Sequence, residues 1–369
     1  MRIALDGRPL ANPHGGIRRY VECLADGLAR VAPQHEFVPC GLPRAAAVRL
    51  DPRLGARAER FPGARWLDHA WLASTPGPFD LYHGTNYAAP WWCPAPVVLT
   101  VHDLTVHLFP DTHPWRRRAM HALLPARCRR AARVIADSAA TRDDLVRLWG
   151  LSAARIDVVP LAADHLVPPP DEAGRAEVLR RHGLPPRFTL FLGALEPRKN
   201  LPALLRAWAG LRAEGPVGAL VLAGAGAPDY VAGLRDAALR LGLREGEDLW
   251  LPGPIDDADL PALYASCEVF AYPSLYEGFG LPPLEAMACG APVVAARGSS
   301  LEEVCAGVAL LVDPRDPAAL RGALARLLGD PALRADLAAR GRARAAARGW
   351  DDVARDTLAV YERVWKEAA

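Results

Sequence analysis

The 369-residue chain has little net charge, few methionines and no long apolar run. Its 44 basic and 42 acidic side chains leave a formal charge of +2, so no global field argues for a nucleic-acid partner. No apolar stretch approaches the ~20 residues that a membrane-spanning helix requires. The chain opens directly on a strand-like run, Arg2-Ile-Ala-Leu-Asp6, rather than on a basic leader followed by an apolar signal region. Seven cysteines, Cys23, Cys40, Cys93, Cys128, Cys267, Cys289 and Cys305, show no paired short spacing, and an odd total fits neither a disulfide framework nor a zinc site. These absences point to the reduced cytoplasm. No solenoid-type repeat is evident.

What is present is an alternation of short apolar runs with longer helical patterns, the mark of parallel sheets covered by helices. In the first half the expected strands are Ile3–Leu5, Leu81–His83, Val97–Val101, Val134–Ala136 and Ile156–Val159, with helices at Ile17–Val31, Trp115–Arg133 and Ala140–Trp149. The second half repeats the theme at Thr189–Leu192, Leu220–Ala223, Leu249–Leu251, Val269–Tyr272, Val293–Ala295 and Ala309–Val312. Pro168-Pro-Pro170 is the best linker. This places an N-terminal domain at 1–170 and a C-terminal domain at 171–349. Residues 350–369 form a terminal helix with apolar side chains at helical spacing. Ligands of open parallel sheets bind beyond the carboxyl ends of the strands, so the groove between the domains is the expected seat of chemistry.

The most informative segment is Ala271-Tyr-Pro-Ser-Leu-Tyr-Glu277-Gly-Phe-Gly-Leu-Pro-Pro-Leu-Glu285. A strand leads into a glycine loop and then a helix entered at Pro282-Pro283, where proline suits the first turn. Such a helix N-terminus offers unpaired amides and partial positive charge to an anion, while Glu277 and Glu285 can accept hydrogen bonds from hydroxyls. An anion beside hydroxyls describes a nucleotide sugar. A glutamate pair at this spacing is by itself usually two solvated charges, and the strand, glycine loop and small-residue helix around it narrow the reading. Upstream, Gly193-Ala-Leu-Glu-Pro-Arg198-Lys199-Asn200 follows another strand and supplies a cation pair suited to a diphosphate.

With these residues in place, the chain resembles the retaining glycosyltransferases of family 4, which carry a glutamate-x7-glutamate signature. The resemblance implies the GT-B architecture: two Rossmann-like, doubly wound α/β domains facing a central cleft, the first binding the acceptor and the second the nucleotide sugar, with the terminal helix packing back on the first. It assigns Arg198 and Lys199 to the donor diphosphate. Many relatives carry a further arginine directly after the first glycine, where this chain has Ala194, which leaves Arg198 as the substitute. Glu277 and the Gly278, Phe279, Gly280 and Leu281 backbone would hold the donor sugar, and Glu285 the ribose. Gly193 and the Gly253–Ile255 loop would meet the nucleotide, the latter contacting the base through backbone groups of Gly253 and Ile255. Gly15 and Gly16, at the first strand-to-helix turn, match the glycine loop over the donor. His102, at the end of Val97–Val101, would face the donor sugar and assist the transition state, with Asp103 orienting it or its loop. Ser138 resembles a cleft-lining serine and reads equally well as a helix cap.

The implied reaction is hexosyl transfer, mannose- or rhamnose-like by the Arg198-Lys199, His83-Gly84-Thr85 and Thr100–Leu104 segments, from a nucleoside-diphosphate sugar to a glycan or lipid-linked hydroxyl in polysaccharide or O-antigen assembly. It needs no metal and no cofactor beyond the donor substrate, and it proceeds by front-face departure and attack. The basic stretch 115–133 suits either a solvated surface or a peripheral contact with the inner membrane face. Loops at 44–61 and 87–93 are too irregular to interpret. Two motifs point elsewhere and are set aside. Gly224-Ala-Gly226 lacks the third glycine of a dinucleotide fingerprint, since Asp229 stands there, and Asp257-Ala-Asp259 sits where acidic residues commonly offset a helix dipole. An NAD-type oxidoreductase would leave Glu277, Glu285 and Lys199 without a role. A glycoside hydrolase has no need of cations beside its carboxylates. A silent sugar-nucleotide-binding protein or membrane scaffold is the non-enzymatic alternative.

Overall fold

In the computed structural model the described residues are 1–12, 15–41, 50, 54, 79–87 and 93–368. The chain divides into two units, Met1–Ala162 with Gly349–Ala369, and Ala163–Arg348. The division falls before the proline run near residue 170 because Ala163 already packs in the second core and His165 is bonded to Glu285.

The first unit is a six-stranded parallel sheet of β1 (Arg2–Asp6), β2 (Glu36–Cys40), β3 (Leu81–Gly84), β4 (Val97–Val101), β5 (Arg133–Ala136) and β6 (Ile156–Val158). Its order is β2-β1-β3-β4-β5-β6. Its helices begin with α1 (Gly16–Val31), α2 (Thr105–Leu108), α3 (Trp115–His121), α4 (Leu124–Arg130) and α5 (Ala139–Trp149). β2 is absent from the sequence reading because Pro39 interrupts its apolar run. The strand lies at the sheet edge, where a missing N–H is tolerated. The helix expected over 115–133 is broken in two, since Pro125 enters α4 in its first turn. Arg133 belongs to β5, where its guanidinium forks onto both oxygens of Asp157 at 2.8 and 2.9 Å. It therefore drops out of the basic surface patch.

The second unit carries α6 (Glu172–Arg181), β7 (Phe188–Leu192), α7 (Leu201–Glu214), β8 (Ala219–Ala223), α8 (Pro228–Arg240), β9 (Leu249–Gly253), α9 (Leu260–Ser266) and β10 (Val269–Tyr272). It continues through α10 (Leu281–Ala288), β11 (Val293–Ala296), α11 (Ser299–Cys305), β12 (Leu310–Val312), α12 (Pro317–Gly329) and α13 (Pro331–Ala346). Its strand order, β9-β8-β7-β10-β11-β12, is the doubly wound Rossmann arrangement, with the reversal of direction between β7 and β10. Strands buried on both faces read as continuous apolar runs, and β8 and β10 are buried at every residue.

The chain ends in α14 (Trp350–Ala368), which packs on α1 within the first unit. Gly27 lets it approach, because a Cβ there would lie 3.0 Å from Ala354 and from the Trp350 carbonyl. The contact is polar as well as apolar. Tyr361 of α14 bonds His83 of β3 at 2.6 Å, His83 bonds Thr100 of β4 at 2.8 Å, and Thr100 bonds Tyr20 of α1 at 2.9 Å. No helix among the described residues is long and apolar enough to cross a membrane.

Candidate active site

The two strands that flank the reversal in the second sheet send their loops in opposite directions, which opens a crevice at their carboxyl ends. From β7 the chain passes Gly193 and a short turn, Pro197–Lys199, before Asn200 at φ 57° starts α7. From β10 it passes Pro273 and Ser274 to Glu277. Lys199 and Glu277, 78 residues apart in sequence, therefore meet: Nζ donates to Glu277 Oε1 at 2.6 Å and to the Tyr272 hydroxyl at 2.7 Å. Arg198 Nη1 lies 2.9 Å from Glu277 Oε2 and donates to the Tyr276 carbonyl at 2.6 Å, while Nη2 reaches Glu196 at 2.6 Å. Lys199 and Glu277 are buried, at 5% and 8% exposure.

Burial alone would raise the Glu277 pKa, but the neighbouring Arg198 and Lys199 outweigh it and hold the carboxyl down at about 2. Burial pulls the Lys199 pKa down, and Glu277 opposes that pull. The carboxylate thus works against the loss of the buried lysine's charge. Ser274 also donates to Glu277 Oε1, and the Ser300 hydroxyl bonds the Glu277 carbonyl at 2.9 Å. Tyr272, Ser274, Ser300 and Glu196 were not singled out from the sequence. Their roles emerge only once β7 and β10 are neighbours, although Tyr272 and Ser274 lie inside the motif that carried the reading.

Gly280 caps α10 at φ +106°, and a Cβ there would lie 2.7 Å from Leu301 Cδ2, so glycine is required on both counts. Pro282 and Pro283 have no N–H to offer, which reduces the amide donors that the first turn of α10 can present to an anion. Leu281 is buried and Phe279 packs on the core. Glu285 has partners of its own: the Tyr264 hydroxyl donates to Oε2 at 2.8 Å and His165 Nε2 contacts Oε1 at 3.0 Å.

Gly193 and Gly224, after β7 and β8, are held by backbone hydrogen bonds, the second to Gly253 at the end of β9. Gly193 N–H donates to the Ala223 carbonyl and Gly224 N–H to the Gly253 carbonyl. A Cβ on Gly224 would fall 1.8 Å from the Gly193 oxygen, and one on Gly226 would fall 2.6 Å from the Leu195 oxygen. The Gly224-Ala-Gly226 pair thus serves strand-end packing, which accounts for it without a dinucleotide. Gly253 takes φ +82° and Ile255 is buried. Asp259 accepts from Arg181 at 2.6 Å and His182 at 2.7 Å, tying α6 to the start of α9. Among the described residues no cluster of three or more His, Cys, Asp or Glu side chains is placed to hold a metal ion. An open cavity of about 570 Å³ at the β12 edge is lined by Arg297, Glu302, Leu310 and Arg326, none of them in the charged cluster.

In the first unit Gly15 precedes α1 at φ +121°, with Gly16 as its first residue. His102 follows β4, buried, with Nδ1 2.7 Å from Asp137 Oδ2 and Nε2 2.9 Å from the Thr85 carbonyl oxygen. Asp137, not Asp103, orients the ring. Asp103 instead accepts from the Thr105 amide and hydroxyl at the start of α2. Ser138 caps α5 by accepting from the Thr141 amide at 3.0 Å. The irregular loops at 44–61 and 87–93 lie almost wholly outside the described residues.

Against known proteins, a family model described as "Glycosyl transferases group 1" matches residues 176–344 and one described as "Glycosyltransferase Family 4" matches residues 14–167. The chain is 35% identical over 288 residues to an O-antigen chain mannosyltransferase B of Escherichia coli, covering 76% of this chain and 74% of that protein. It is 37% identical over 248 residues to a D-inositol 3-phosphate glycosyltransferase of Salinispora arenicola, covering 63% of this chain and 54% of that one. Among solved structures, a sucrose-phosphate synthase of Thermosynechococcus elongatus superposes with a TM-score of 0.77 at 24% identity, each chain covered completely. HepE of Anabaena, solved with UDP and glucose, superposes with a TM-score of 0.78 at 22% identity, covering 98% of this chain and 100% of that one. The two Rossmann-like sheets read from the sequence are the fold these structures share.

Proposed function

This chain belongs to the group 1 and family 4 glycosyltransferases, and from that premise we propose that it moves a hexose, mannose or a rhamnose-like sugar, from a nucleoside diphosphate to a hydroxyl of a glycan or lipid-linked acceptor, with retention at the anomeric carbon. The observation that carries the reading is the meeting of Arg198, Lys199 and Glu277 where β7 and β10 diverge. Cleaving the sugar–phosphate bond builds negative charge on the departing diphosphate. Two cations fixed in a buried site stabilise that charge without reorganisation. Glu277, with the Gly278, Phe279 and Gly280 backbone, holds donor-sugar hydroxyls, and Glu285, oriented by Tyr264 and His165, takes the ribose. Gly193, Gly253 and Ile255 shape the nucleotide end. The second unit is the donor-binding one and the first the acceptor-binding one, while Gly15 and Gly16 keep their part toward the donor and His102 its part in the transition state.

The sugar assignment draws on the mannosyltransferase relative, and its O-antigen product suggests polysaccharide assembly. The test is nucleotide release from GDP-, UDP- and dTDP-sugars in the presence of acceptor. Lys199→Ala should lower kcat about 10²–10³-fold, as for loss of one oxyanion contact. Turnover undiminished in both Lys199→Ala and Glu277→Ala would remove the site assignment.

A peripheral membrane contact is part of the same proposal. On α3 and the turn after it Trp115, Met120 and Leu123 are 71%, 64% and 45% exposed beside Arg116, Arg117 and Arg118. Apolar tips among cations suit an anionic lipid surface, where each cation contributes about 1 kcal/mol. Wild-type protein should co-sediment with vesicles containing phosphatidylglycerol and not with pure phosphatidylcholine, and Trp115→Ala with Met120→Ala should abolish the difference. Equal recovery on both vesicles would end the idea.

A further inference from the structure

His102 has both ring nitrogens occupied by the protein. A carbonyl oxygen can only accept, so the 2.9 Å contact with Thr85 fixes a proton on Nε2. The 2.7 Å contact of Nδ1 with Asp137 then leaves two arrangements: an imidazolium donating to a carboxylate, or a carboxylic acid donating to a neutral ring. Asp137 is 2% exposed, and its second oxygen, Oδ1, has no hydrogen-bond partner among the described residues. The acid form would carry its proton on Oδ2, aimed at Nδ1, and would leave the buried ring neutral, whereas a carboxylate so placed has His102 as its compensating charge. With ordinary values of 6.5 and 3.8 the imidazole is the stronger base; burial raises the Asp137 pKa and narrows that gap, and the neighbouring His102 opposes the rise. Burial works against its charge, but Asp137, Thr85 and Asp103 together raise the His102 pKa. Of the other groups facing the ring, Tyr20 of α1 and Tyr87, edge-on at 4.7 and 5.9 Å, are kept protonated by burial. His83 of β3 is kept neutral by burial and by His102 itself.

We propose that Asp137 is a positioning residue that keeps His102 doubly protonated, so that His102 serves as a fixed cationic brace across the loops after β3, β4 and β5 and not as a proton donor or acceptor in turnover. Neither nitrogen has a lone pair free to take a proton. The brace continues through Thr85, whose hydroxyl donates to the carbonyl of Asp6, the last residue of β1, at 2.6 Å. The inference rests on the placement of His102 in the transfer site, and its chief test needs no turnover.

In the full chain labelled with ¹⁵N-histidine, the His102 ring should show two protonated nitrogens at pH ~7.5, above the ordinary imidazole midpoint near 6.5. Asp137→Asn can donate its amide to Nδ1, so the same geometry then satisfies a neutral ring. The variant should show a single protonated nitrogen at pH ~7. Its kcat should fall roughly tenfold to a hundredfold, less than loss of a direct oxyanion contact, with donor KM little changed and partial recovery in Asp137→Glu. A neutral ring in the wild type at pH ~7.5, or an unchanged ring in Asp137→Asn, overturns the proposal. If Asp137→Asn does not fold, the wild-type ring state decides alone. A doubly protonated ring together with full activity in Asp137→Asn would instead count against His102 as part of the transfer site.

Discussion

Each sheet collects polar side chains near the carboxyl ends of its strands, and the two do so by different physics. In the second unit the collection is ionic: Arg198, Lys199 and Glu277 meet where β7 and β10 part, Lys199 and Glu277 buried and Arg198 partly so. In the first unit, beside the His102–Asp137 pair, the chain Tyr361, His83, Thr100, Tyr20 is neutral, and each of its hydrogen bonds is between a hydroxyl and an imidazole or another hydroxyl. An incoming anion can compete with Glu277 for its two cations. Nothing in the hydroxyl–imidazole chain invites such exchange, and it joins α14, β3, β4 and α1 into one body. If the proposed function holds, the difference separates a cluster able to change partners from one that keeps them.

Breaking the ionic cluster should have the largest effect. Glu277→Ala leaves Arg198 and Lys199 buried without their shared carboxylate, and removing one partner of such a set costs about 3–5 kcal/mol. Denaturant unfolding should record that loss in the second unit, together with loss of transfer activity. A stability change below about 1 kcal/mol would mean the cluster behaves like an exposed pair. Breaking the neutral chain should cost less. Tyr361→Phe deprives the buried His83 Nδ1 of its partner, at about 1–3 kcal/mol, with donor affinity preserved. A fall in donor affinity as large as that of Glu277→Ala would erase the contrast between the two regions. Smaller still is Gly280→Ala, where a side chain at φ +106° costs about 1–2 kcal/mol and presses on Leu301. Its effect should fall on donor KM through the displaced start of α10, and unaltered KM would show that the turn gives way without moving the helix.

The ionic region was legible in the sequence because charge has little reason to follow a buried parallel strand, and so Arg198-Lys199 and Glu277 stood out at strand exits. The neutral region was not. His83 and Tyr361 are 278 residues apart, and neither a buried histidine nor a tyrosine on an apolar helix face departs from ordinary core composition. β2 went unread for a related reason: Pro39 breaks the local pattern, and only the edge position, a tertiary fact, excuses it. The division of 115–133 into two helices and a strand was hidden by an unbroken run of good helix formers around Pro125. Asp137 was visible as a residue but not as the partner of His102, since adjacent sequence favoured Asp103 and only the pairing of β4 with β5 brings the other carboxylate over.

Acid separates the two regions without any substitution, and its effect vanishes near neutral pH. Burial and the neighbouring His102 depress the His83 pKa from 6.5 to about 3. Between those values the unfolded chain binds a proton that the folded first unit does not, so unfolding is favoured progressively as pH falls through that window. Glu277 is lowered from 4.5 to about 2, its burial outweighed by Arg198 and Lys199. The sign is the same but the window is lower: its stabilisation is complete above about 4.5 and is lost as pH falls toward 2. Unfolding followed by probes placed separately in the two units should therefore show the first unit weakening already below pH ~6.5, before the second unit loses the Glu277 contribution. His83→Gln, which can still bond both hydroxyls, should reduce the upper part of that slope, to which His121, lowered by burial and Arg117 to about 4, also contributes, and leave the lower one. Coincident acid transitions in the two units, unaffected by His83→Gln, would mean that the neutral chain does not set the acid limit of the first unit, and the comparison would lose its thermodynamic basis.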